Sequence, residues 1–415
     1  MKIRLVQAQI VDKNHPLNGK RTDLYIEKGQ IAQIAQNIDK KADRVIDAEG
    51  LCVSPGWIDM RANFRDPGEE QKETLDTGLS AAIRGGFTAV AIMPNTQPPI
   101  DSKGGVEYLL SRSKRYPIEV IPIGCLSKGL KGESLAEMYD MHQAGAAAFS
   151  DDKQSVTESG LLQRALLYAR QMDAPILHFP YDESLARHGQ MHEGIVSTQL
   201  GLKGIPEIAE EIIVMRDLAL LAYTGGRLHL GPLSTAKSLE LVHDARKNGM
   251  TVSAEVAMAN LIYSDNALEG FDSNYKVLPP LRSESHQKEL IKALKNGWIE
   301  VISSDHNPED EEHKKLEFDL ANFGLAGIEH FFPLLWSRLH KTVPIDTLVA
   351  CFSRNPRNVL GLHQPELEAG KPANLTIFST EENTVWSKGV SKAYNLPRFE
   401  KPLKGKVLAR VCGRE

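Results

Sequence analysis

The sequence lacks the features that would place it in a specialised class of proteins. Its four cysteines, Cys52, Cys125, Cys351 and Cys412, lie far apart and form no CxxC pair, which is typical of reduced, mostly buried thiols. No apolar run approaches the ~20 residues of a membrane span, and the first residues are too few and too charged for a signal peptide. The formal net charge of −5 gives no electrostatic argument for nucleic-acid binding. We therefore expect a cytoplasmic protein without a membrane or nucleic-acid partner.

What the sequence does contain indicates a large α/β fold. The chain has 415 residues, of which 41% are hydrophobic and 25% charged, as in ordinary globular proteins. Between residues 55 and 364, short apolar strands alternate with helical stretches, which indicates parallel βα units. The predicted strands are 57–60, 88–93, 120–124, 146–149, 175–178, 227–230, 251–254 and 300–303. Eight such units favour a closed (β/α)8 TIM barrel over an open sheet, and the chain exceeds the ~250 residues that such a barrel needs.

Two helices between these strands have clear signals. Apolar residues recur at helical spacing from Ile205 to Ala222, and Ser234 and Thr235 are suited to capping a helix that runs to Lys247. Residues 308–320 are rich in Asp, Glu and Lys, and we expect them to form a mobile loop over the barrel mouth.

Both ends of the chain are rich in β-structure. Predicted strands lie in residues 24–34, 45–48, 51–53, 373–378 and 406–411. Neither end is long enough for a stable domain alone. We therefore predict a small β-sandwich domain built from residues 1–54 plus 365–415, with the barrel occupying residues 55–364.

The stretch 55–68, Pro-Gly-Trp-Ile-Asp-Met-Arg-Ala-Asn-Phe-Arg-Asp-Pro-Gly, is the centre of the functional argument. It is typical of a buried strand that delivers polar side chains to a site at its C-terminal end. Position by position it resembles the first barrel strand of the cyclic-amide amidohydrolases, most closely the dihydroorotases. Those enzymes have Gly-aromatic-Ile-Asp-x-His-x-His-Leu-Arg-x-Pro-Gly, and both His bind zinc. Here Arg61 and Asn63 take the places of the two His.

The resemblance covers nearly the whole chain and implies roles for several further residues. Arg65 and Asn95 would bind the substrate carboxylate, for which guanidinium and amide donors are suited. Asn274 would be another substrate contact, and Asp305 would be the general base. The family's reaction is the reversible closure of N-carbamoyl-aspartate to dihydroorotate. One departure follows Asp305, where Glu309 replaces a His that helps to hold substrate.

The resemblance also implies a metal site, but one that is incomplete. Of six expected zinc ligands, three remain, Asp151, His178 and Asp305, and three positions are lost, at Arg61, Asn63 and Pro232. Catalytic zinc normally needs three protein ligands and an open position. The three that remain belonged to two different metals, and Arg61 would repel a dication. We therefore expect no cofactor, zinc being the ancestral one.

These substitutions favour a dihydroorotase homologue that has lost catalysis. In this family such chains are structural partners of aspartate transcarbamoylase, and the resemblance implies that partnership here. We also expect a homo-oligomer whose pocket could take a small carboxylate. One alternative is an active dihydroorotase with a rebuilt zinc site that draws on His229 or His306. Another is a metal-free scaffold similar to the dihydropyrimidinase-related proteins, which Asp151 and the Asn274 motif argue against.

A charge argument gives one structural expectation. Asp151 and Asp305 would point into one enclosed pocket without a cation, where repulsion and burial are costly. We predict that Arg61 fills the vacated metal position and forms a salt bridge with Asp305, Asp151 or both. The alternative is that Arg61 swings out to the barrel mouth and contacts solvent.

Overall fold

The terminal segments of the chain combine in one sheet. The structure is a computed structural model that describes residues 2–47 and 50–413. Ala48, the last residue of a predicted strand, lies outside these residues, as do Met1, Arg414 and Glu415 of the predicted terminal domain. The strands of this sheet are β1 (Lys2–Ile10), β2 (Arg21–Glu27), β3 (Gln30–Ala35), β4 (Arg44–Asp47), β5 (Leu51–Pro55), with β16 (Asn374–Thr384) and β17 (Leu403–Cys412). Their order is β17-β16-β5-β1-β2-β3, and β4 pairs with β1.

Eight parallel strands form the barrel predicted from the sequence. They are β6 (Trp57–Ala62), β7 (Phe87–Ile92), β8 (Glu119–Gly124), β9 (Ala148–Phe149), β10 (Ile176–His178), β13 (Leu228–Leu230), β14 (Val252–Ala257) and β15 (Val301–Ser303). The last strand returns to the first, where Ala62 forms a parallel bridge with His306 just beyond β15. A separate short pair, β11 (Met191–His192) and β12 (Gly204–Ile205), lies outside the barrel wall.

Helices surround the barrel and follow its strands. They are α1 (Leu75–Arg84), α2 (Lys103–Ser113), α3 (Met138–Ala144), α4 (Ser159–Arg170), α5 (Glu183–Ala186), α6 (Ile195–Leu200), α7 (Ile208–Thr224), α8 (Ala236–Lys247), α9 (Met258–Ile262), α10 (Glu284–Lys295), α11 (Glu311–Lys314), α12 (Phe331–Leu339), α13 (Ile345–Ala350) and α14 (Arg354–Leu360). The predicted helix cap is confirmed, because the Thr235 side chain accepts from the backbone N–H of Ser238. Among the described residues, no helix is both long and apolar enough to span a membrane.

An aromatic cluster joins the barrel to the terminal sheet. The ring of Trp57, at the start of β6, lies 5.2 Å from that of Phe332, 5.1 Å from that of Phe352 and 5.3 Å from that of Phe378 on β16. The Trp57 indole N–H donates to the Ser54 hydroxyl at 2.9 Å. Such aromatic contacts add to the free energy gained from burial alone. The sheet and the barrel therefore share part of one core.

Candidate functional site

Arg61 lies inside the barrel near the C-terminal end of β6, with 1% of its side chain exposed. Its Nη1 donates to Oδ1 of Asp152 at 3.0 Å, and its Nε donates to Oε1 of Glu255 at 3.0 Å. Its Nη2 donates to the carbonyl oxygen of Gly231 at 3.1 Å. The guanidinium is thus held by two carboxylates and one carbonyl, all from other segments of the barrel wall.

Arg61 is therefore buried inside the barrel and paired with carboxylates, but the predicted partners are wrong. We expected a salt bridge to Asp151, Asp305 or both, and the structure gives Asp152 and Glu255 instead. The alternative, in which Arg61 swings out to solvent, is also wrong. A buried guanidinium needs hydrogen-bonded counter-charges, and here two carboxylates neutralise it.

Asp151 accepts hydrogen bonds from a different part of the barrel wall. The backbone N–H groups of Leu126 and Ser127 both donate to its Oδ1 at 2.9 Å, and the Ser127 hydroxyl donates to its Oδ2. These donors follow the end of β8. Because three donors already hold Asp151, the neighbouring Asp152 is the carboxylate that turns toward Arg61. Burial nevertheless raises the pKa of Asp151 above its usual value.

Asp152 links Arg61 to one of the predicted substrate-binding residues. The Asn95 amide donates to Oδ2 of Asp152 at 2.8 Å. The Asn95 amide was expected to bind a ligand carboxylate, and here it binds a carboxylate of the chain itself. Asp152 has φ 50°, and Asp305 and Arg65 have φ 48° and 58°. These left-handed conformations are unfavourable for residues with side chains, and the three residues each follow the end of a barrel strand.

Both ring nitrogens of His178 are also hydrogen-bonded within the chain. Its Nδ1 lies 2.6 Å from Oδ2 of Asp217 on α7, and its Nε2 accepts the backbone N–H of Val156 at 3.0 Å. The lone pair that would bind a metal is thus directed at a peptide N–H. A metal at His178 would have to displace that hydrogen bond.

Asp305 pairs with a lysine that sequence reasoning did not single out. The Lys153 ammonium lies 2.9 Å from Oδ1 and 3.0 Å from Oδ2 of Asp305. Burial raises the pKa of Asp305 to about 6, against the opposing effect of the charges of Lys153 and Arg61. The carboxylate at the general-base position thus has an internal cation as its partner.

Glu255 lies at the centre of the buried network. Its Oε2 lies 3.1 Å from Nε2 of His229, and the Ser303 hydroxyl donates to its Oε1 at 2.5 Å. Burial acts to raise the pKa of Glu255, but the charge of Arg61 and these hydrogen bonds outweigh it and hold that pKa well below its usual value. Glu255 is therefore a buried anion that depends on Arg61.

The two histidines that a rebuilt metal site could use are also turned toward other groups. His229 contacts Glu255 through Nε2, and its Nδ1 lies 2.7 Å from the Ser253 hydroxyl. His306 has its Nε2 3.4 Å from Oε2 of Glu73. Among the described residues, neither of them has a second acidic partner that would make a ligand set.

The other two lost ligand positions are occupied by an amide and a proline in place of the family's histidines. Asn63 is fully buried, and neither atom of its side-chain amide has a hydrogen-bond partner among the described residues. Pro232 is buried as well, and the carbonyl that precedes it, that of Gly231, accepts from Arg61. A proline side chain offers no donor atom for a metal.

The predicted carboxylate site at Arg65 already contains a carboxylate of the chain itself. Nη2 of Arg65 lies 3.1 Å from Oε1 of Glu309, and Nζ of Lys72 lies 3.1 Å from Oε2 of Glu309. Nη1 of Arg65 lies 3.2 Å from Oε2 of Glu69, and Nη2 also donates to the Asn307 side chain. Glu309 is 3% exposed. The residue that replaces the family's His thus neutralises the cations that would bind a ligand.

Residues 308–320, which the sequence predicts to form a mobile loop over the barrel mouth, are joined to other segments by hydrogen bonds. They contain α11, and Nζ of Lys314 donates to the carbonyls of Ser273 and Asn322 at 2.6 and 2.7 Å. Nζ of Lys276 donates to the carbonyl of Phe318 at 2.7 Å. Burial lowers the pKa of Lys314 to about 7 and that of Lys276 to about 8. Asn274 lies between these anchors, partly exposed, with its N–H bonded to Asp272. No hydrogen bond among the described residues joins Asn274 to Arg65 or Asn95.

The zinc that the resemblance implies does not fit these side chains. Across residues 2–47 and 50–413, no group of three His, Cys, Asp or Glu side chains could hold a metal ion. Of the three retained ligands, Asp151 is bound by N–H and O–H donors, His178 by a peptide N–H and Asp305 by Lys153. The guanidinium of Arg61 lies among the remaining carboxylates, where it would repel a cation.

Comparison with known proteins decides the family. The chain is 41% identical over 420 residues to a dihydroorotase of Pelotomaculum thermopropionicum, covering 100% of this chain and 97% of the relative. The chain belongs to the dihydroorotase family. A dihydroorotase of Caldanaerobacter subterraneus is 40% identical over 94% of this chain and 91% of the relative. The Dihydro-orotase-like family model matches residues 50–238 of this dihydroorotase homologue.

The solved structures agree with the fold of this dihydroorotase homologue. An L-hydantoinase from Arthrobacter aurescens aligns with a TM-score of 0.87 and 22% identity, covering 99% of this chain and 94% of that one. A D-hydantoinase from a Thermus species aligns with a TM-score of 0.81 and 21% identity, over 99% and 94% of the chains. At such identities the likeness establishes the barrel fold.

Sequence reasoning missed Asp152, Lys153 and Glu255 as members of the central network. One signal was available for Glu255. Charged residues are almost never fully buried without a partner, and both Arg61 and Glu255 stand in or beside apolar strands. Pairing the two would have followed from their opposite charges. Asp152 and Lys153 carried no such signal, because an Asp-Asp-Lys turn is common on protein surfaces.

Proposed function

We propose that this chain is a dihydroorotase homologue that has lost metal-dependent catalysis and acts as a structural or regulatory partner of aspartate transcarbamoylase. The observation that carries the first part is the position of Arg61. A guanidinium paired with Asp152 and Glu255 stands at a position where the family resemblance implies a zinc ligand. The family's hydrolytic direction needs a metal-bound hydroxide and a polarised amide carbonyl, and no described side chains are arranged to supply them.

The state of the substrate-binding residues supports the same proposal. Glu309 forms an ion pair with Arg65, and Asp152 accepts a hydrogen bond from the Asn95 amide. A ligand carboxylate would have to compete with two carboxylates of the chain itself. The residues that the resemblance assigns to the metal and to the substrate carboxylate are thus held in internal salt bridges and hydrogen bonds. We therefore expect that restoring one residue would not restore the site.

The partnership with aspartate transcarbamoylase is supported by the family resemblance. A chain that keeps its fold while the groups expected to carry its chemistry are paired with each other still has a surface with which to bind another protein. The test is to purify the chain alone and together with the transcarbamoylase of the same organism. We expect co-elution in size-exclusion chromatography and a change in transcarbamoylase activity on complex formation.

Two measurements separate this proposal from that of an active enzyme with a rebuilt site, and a third tests the partnership. We expect the purified chain to carry no stoichiometric zinc by elemental analysis, and to show no turnover of N-carbamoyl-aspartate or dihydroorotate. Turnover that Asp305→Ala abolishes would refute the loss of catalysis. Separate elution of the two proteins, with a transcarbamoylase that is fully active alone, would refute the partnership.

A further inference from the structure

Ser253, His229 and Glu255 form a chain of hydrogen bonds inside the barrel. His229 lies opposite Ser253 in the parallel pairing of β13 with β14, and Glu255 is two residues beyond Ser253, on the same side of its strand. Nδ1 of His229 lies 2.7 Å from the Ser253 hydroxyl oxygen, and Nε2 lies 3.1 Å from Oε2 of Glu255. One imidazole thus joins a hydroxyl group to a carboxylate through its two nitrogens.

The charge of Glu255 decides which nitrogen of His229 carries the proton. Against the effect of burial, the charge of Arg61 and the hydrogen bonds hold the pKa of Glu255 well below its usual value, so this carboxylate can only accept. Nε2 of His229 must therefore donate to it. Burial lowers the pKa of His229, so the ring is neutral at pH 7 and its Nδ1 has a lone pair. The Ser253 hydroxyl therefore donates to Nδ1.

This is the arrangement of an activated serine. A serine hydroxyl is a weak nucleophile unless a neighbouring base takes its proton, and the base in turn needs a third group that orients it. Ser253, His229 and Glu255 fill these three roles, at distances within the hydrogen-bond reach of about 2.6–3.2 Å that such groups need. Triads of this kind recur on unrelated folds and are recognised by geometry and not by their order along the chain.

Ser253 and His229 line a cavity at the N-terminal end of the barrel. Its volume is about 440 Å³, and its apolar wall includes Pro175, Met250 and Val359. Ser253 is partly exposed, although the residues on both sides of it in the strand are buried. Cavities of about 300–1,000 Å³ take small organic ligands. A small molecule therefore has room to reach the Ser253 hydroxyl.

Two arginines bring positive charge to the same cavity. The guanidinium of Arg227 is fixed by donation to the carbonyls of Asp173 and Asn358 at 2.7 and 3.0 Å. Arg246 forms an ion pair with Glu300. Attack on an ester carbonyl places negative charge on its oxygen, and fixed positive groups near that oxygen stabilise the transition state. The charge of the cavity therefore suits an acyl substrate.

The cavity lies at the opposite end of the barrel from the residues that the family resemblance singles out. Those residues follow the C-terminal ends of the strands, where barrel enzymes have their active sites, whereas Ser253 is the second residue of β14. The two ends share Glu255, which pairs with Arg61 and also contacts His229. The carboxylate that neutralises Arg61 thus orients the imidazole as well.

We propose that Ser253 is the nucleophile of an esterase site for small carboxylic esters, with His229 as its general base and Glu255 as the positioning residue of His229. Ser253 Oγ attacks the ester carbonyl while its proton passes to Nδ1 of His229. As the tetrahedral intermediate collapses, the bond to the alcohol oxygen breaks and the alcohol takes that proton. Water, deprotonated by the same Nδ1, then attacks the acyl-serine, and the carboxylic acid leaves as the proton returns to Ser253 Oγ. This chemistry needs no metal ion and is independent of the proposed function.

The test labels the full chain with diisopropyl fluorophosphate and follows its hydrolysis of p-nitrophenyl acetate. The first reagent phosphorylates an activated serine and releases fluoride, and peptide mapping by mass spectrometry locates the label. We expect the label on Ser253 of the folded parent and not of the chain unfolded in urea, and Ser253→Ala should lose both the label and the esterase activity. His229→Gln should lower the labelling rate by about 100-fold or more, the usual contribution of a general base. Ser80→Ala is the matched control and should behave as the parent, because the Ser80 hydroxyl donates to a backbone carbonyl, that of Asp76.

The pH dependence of labelling separates an activated serine from a merely structural hydrogen bond. Besides burial, which lowers it, the pKa of His229 is raised by Glu255 and lowered by Arg61. Because it lies below the ordinary value of about 6.5, the labelling rate should be constant from pH 7 to 9, whereas an unassisted hydroxyl would react faster with every added pH unit. Glu255→Gln removes the charge that raises this pKa, so its labelling rate should begin to fall only at a lower pH than in the parent.

Four results would overturn the proposal. They are a parent that takes no label on Ser253, a labelling rate that rises steadily from pH 7 to 9, a folded His229→Gln variant labelled as fast as the parent, and a Ser253→Ala variant that hydrolyses the ester at the parent's rate. Label on Ser253 without ester hydrolysis would equally refute the esterase activity. Should His229→Gln or Glu255→Gln fail to fold, the labelled position and the pH profile of the parent decide the question.

Discussion

Removing the guanidinium of Arg61 should destabilise the protein strongly at neutral pH. In Arg61→Met, Asp152 and Glu255 would remain buried without the charge that lies 3.0 Å from each of them. Breaking one side of a buried ion pair costs ~3–5 kcal/mol. Since whole domains are stable by about 5–15 kcal/mol, urea titration followed by tryptophan fluorescence should detect the loss readily.

The cost should depend on pH in a defined direction. In the parent the folded-state pKa of Glu255 lies below its ordinary value, so the pair's stabilisation is present above about pH 4.3 and is lost as the pH falls through the folded pKa. In Arg61→Met, burial would instead raise the pKa of Glu255, and uptake of a proton would relieve the unpaired charge. The difference between parent and variant should therefore be largest at pH 7 and smaller at pH 5.

Two further variants make the measurement specific. Arg61→Met combined with Glu255→Gln should cost less than the sum of the two single changes, because the second removes a charge that the first leaves unpaired. Arg164→Met removes an arginine from an exposed pair with Glu158 and should change the free energy of unfolding by no more than about 0.5 kcal/mol. An Arg61→Met variant as stable as the parent, or one whose deficit is the same at pH 7 and pH 5, would refute the reasoning.

Three other predictions concern the neighbouring sites. Arg61→His should not create a zinc site, because Asn63 and Pro232 still supply no imidazole; stoichiometric zinc by elemental analysis would contradict this. Glu309→Ala should leave Arg65 and Lys72 without their shared carboxylate, so sodium acetate should raise the melting temperature of this variant more than sodium chloride does, and no such difference should appear for the parent. Lys314 has a folded pKa of about 7, below its unfolded value of about 10.4. The stability of the parent relative to Lys314→Met should therefore rise between pH 7 and 9, by up to about 1.4 kcal/mol per pH unit, and a constant difference in urea titrations would contradict it.

Much of the fold followed from the sequence because the barrel strands are short apolar runs with clear ends. All eight appear in the structure, and the helix capped by Thr235 begins where the hydroxyl was expected to accept a backbone N–H. One boundary had consequences for the site. The strand predicted to end at Ala254 continues to Ala257, and the extension places Glu255 inside the barrel.

The choice between Asp151 and Asp152 could not be made from the sequence. Strand β9 has only two residues, and Asp152 adopts a left-handed conformation just beyond it. The direction of each side chain therefore depends on a turn and on the N–H donors of a loop after β8, 24 and 25 residues earlier. Glu309 illustrates the same difficulty, since its partners Arg65 and Lys72 come from the far end of the barrel sequence. Local patterns contain no information on such long-range pairs.

The pairing of β5 with β16 has a consequence for how the protein is made. Val53 pairs with Ile377, and the Trp57 ring packs on Phe378. At a synthesis rate of about 5–20 residues per second, the early strands emerge on the order of tens of seconds before these partners exist. Throughout that interval the nascent chain presents an open strand edge and an unpacked indole, which chaperones recognise and which other chains can bind. The strands β1 to β5 can pair with one another early, but the sheet is completed only after translation has passed β16.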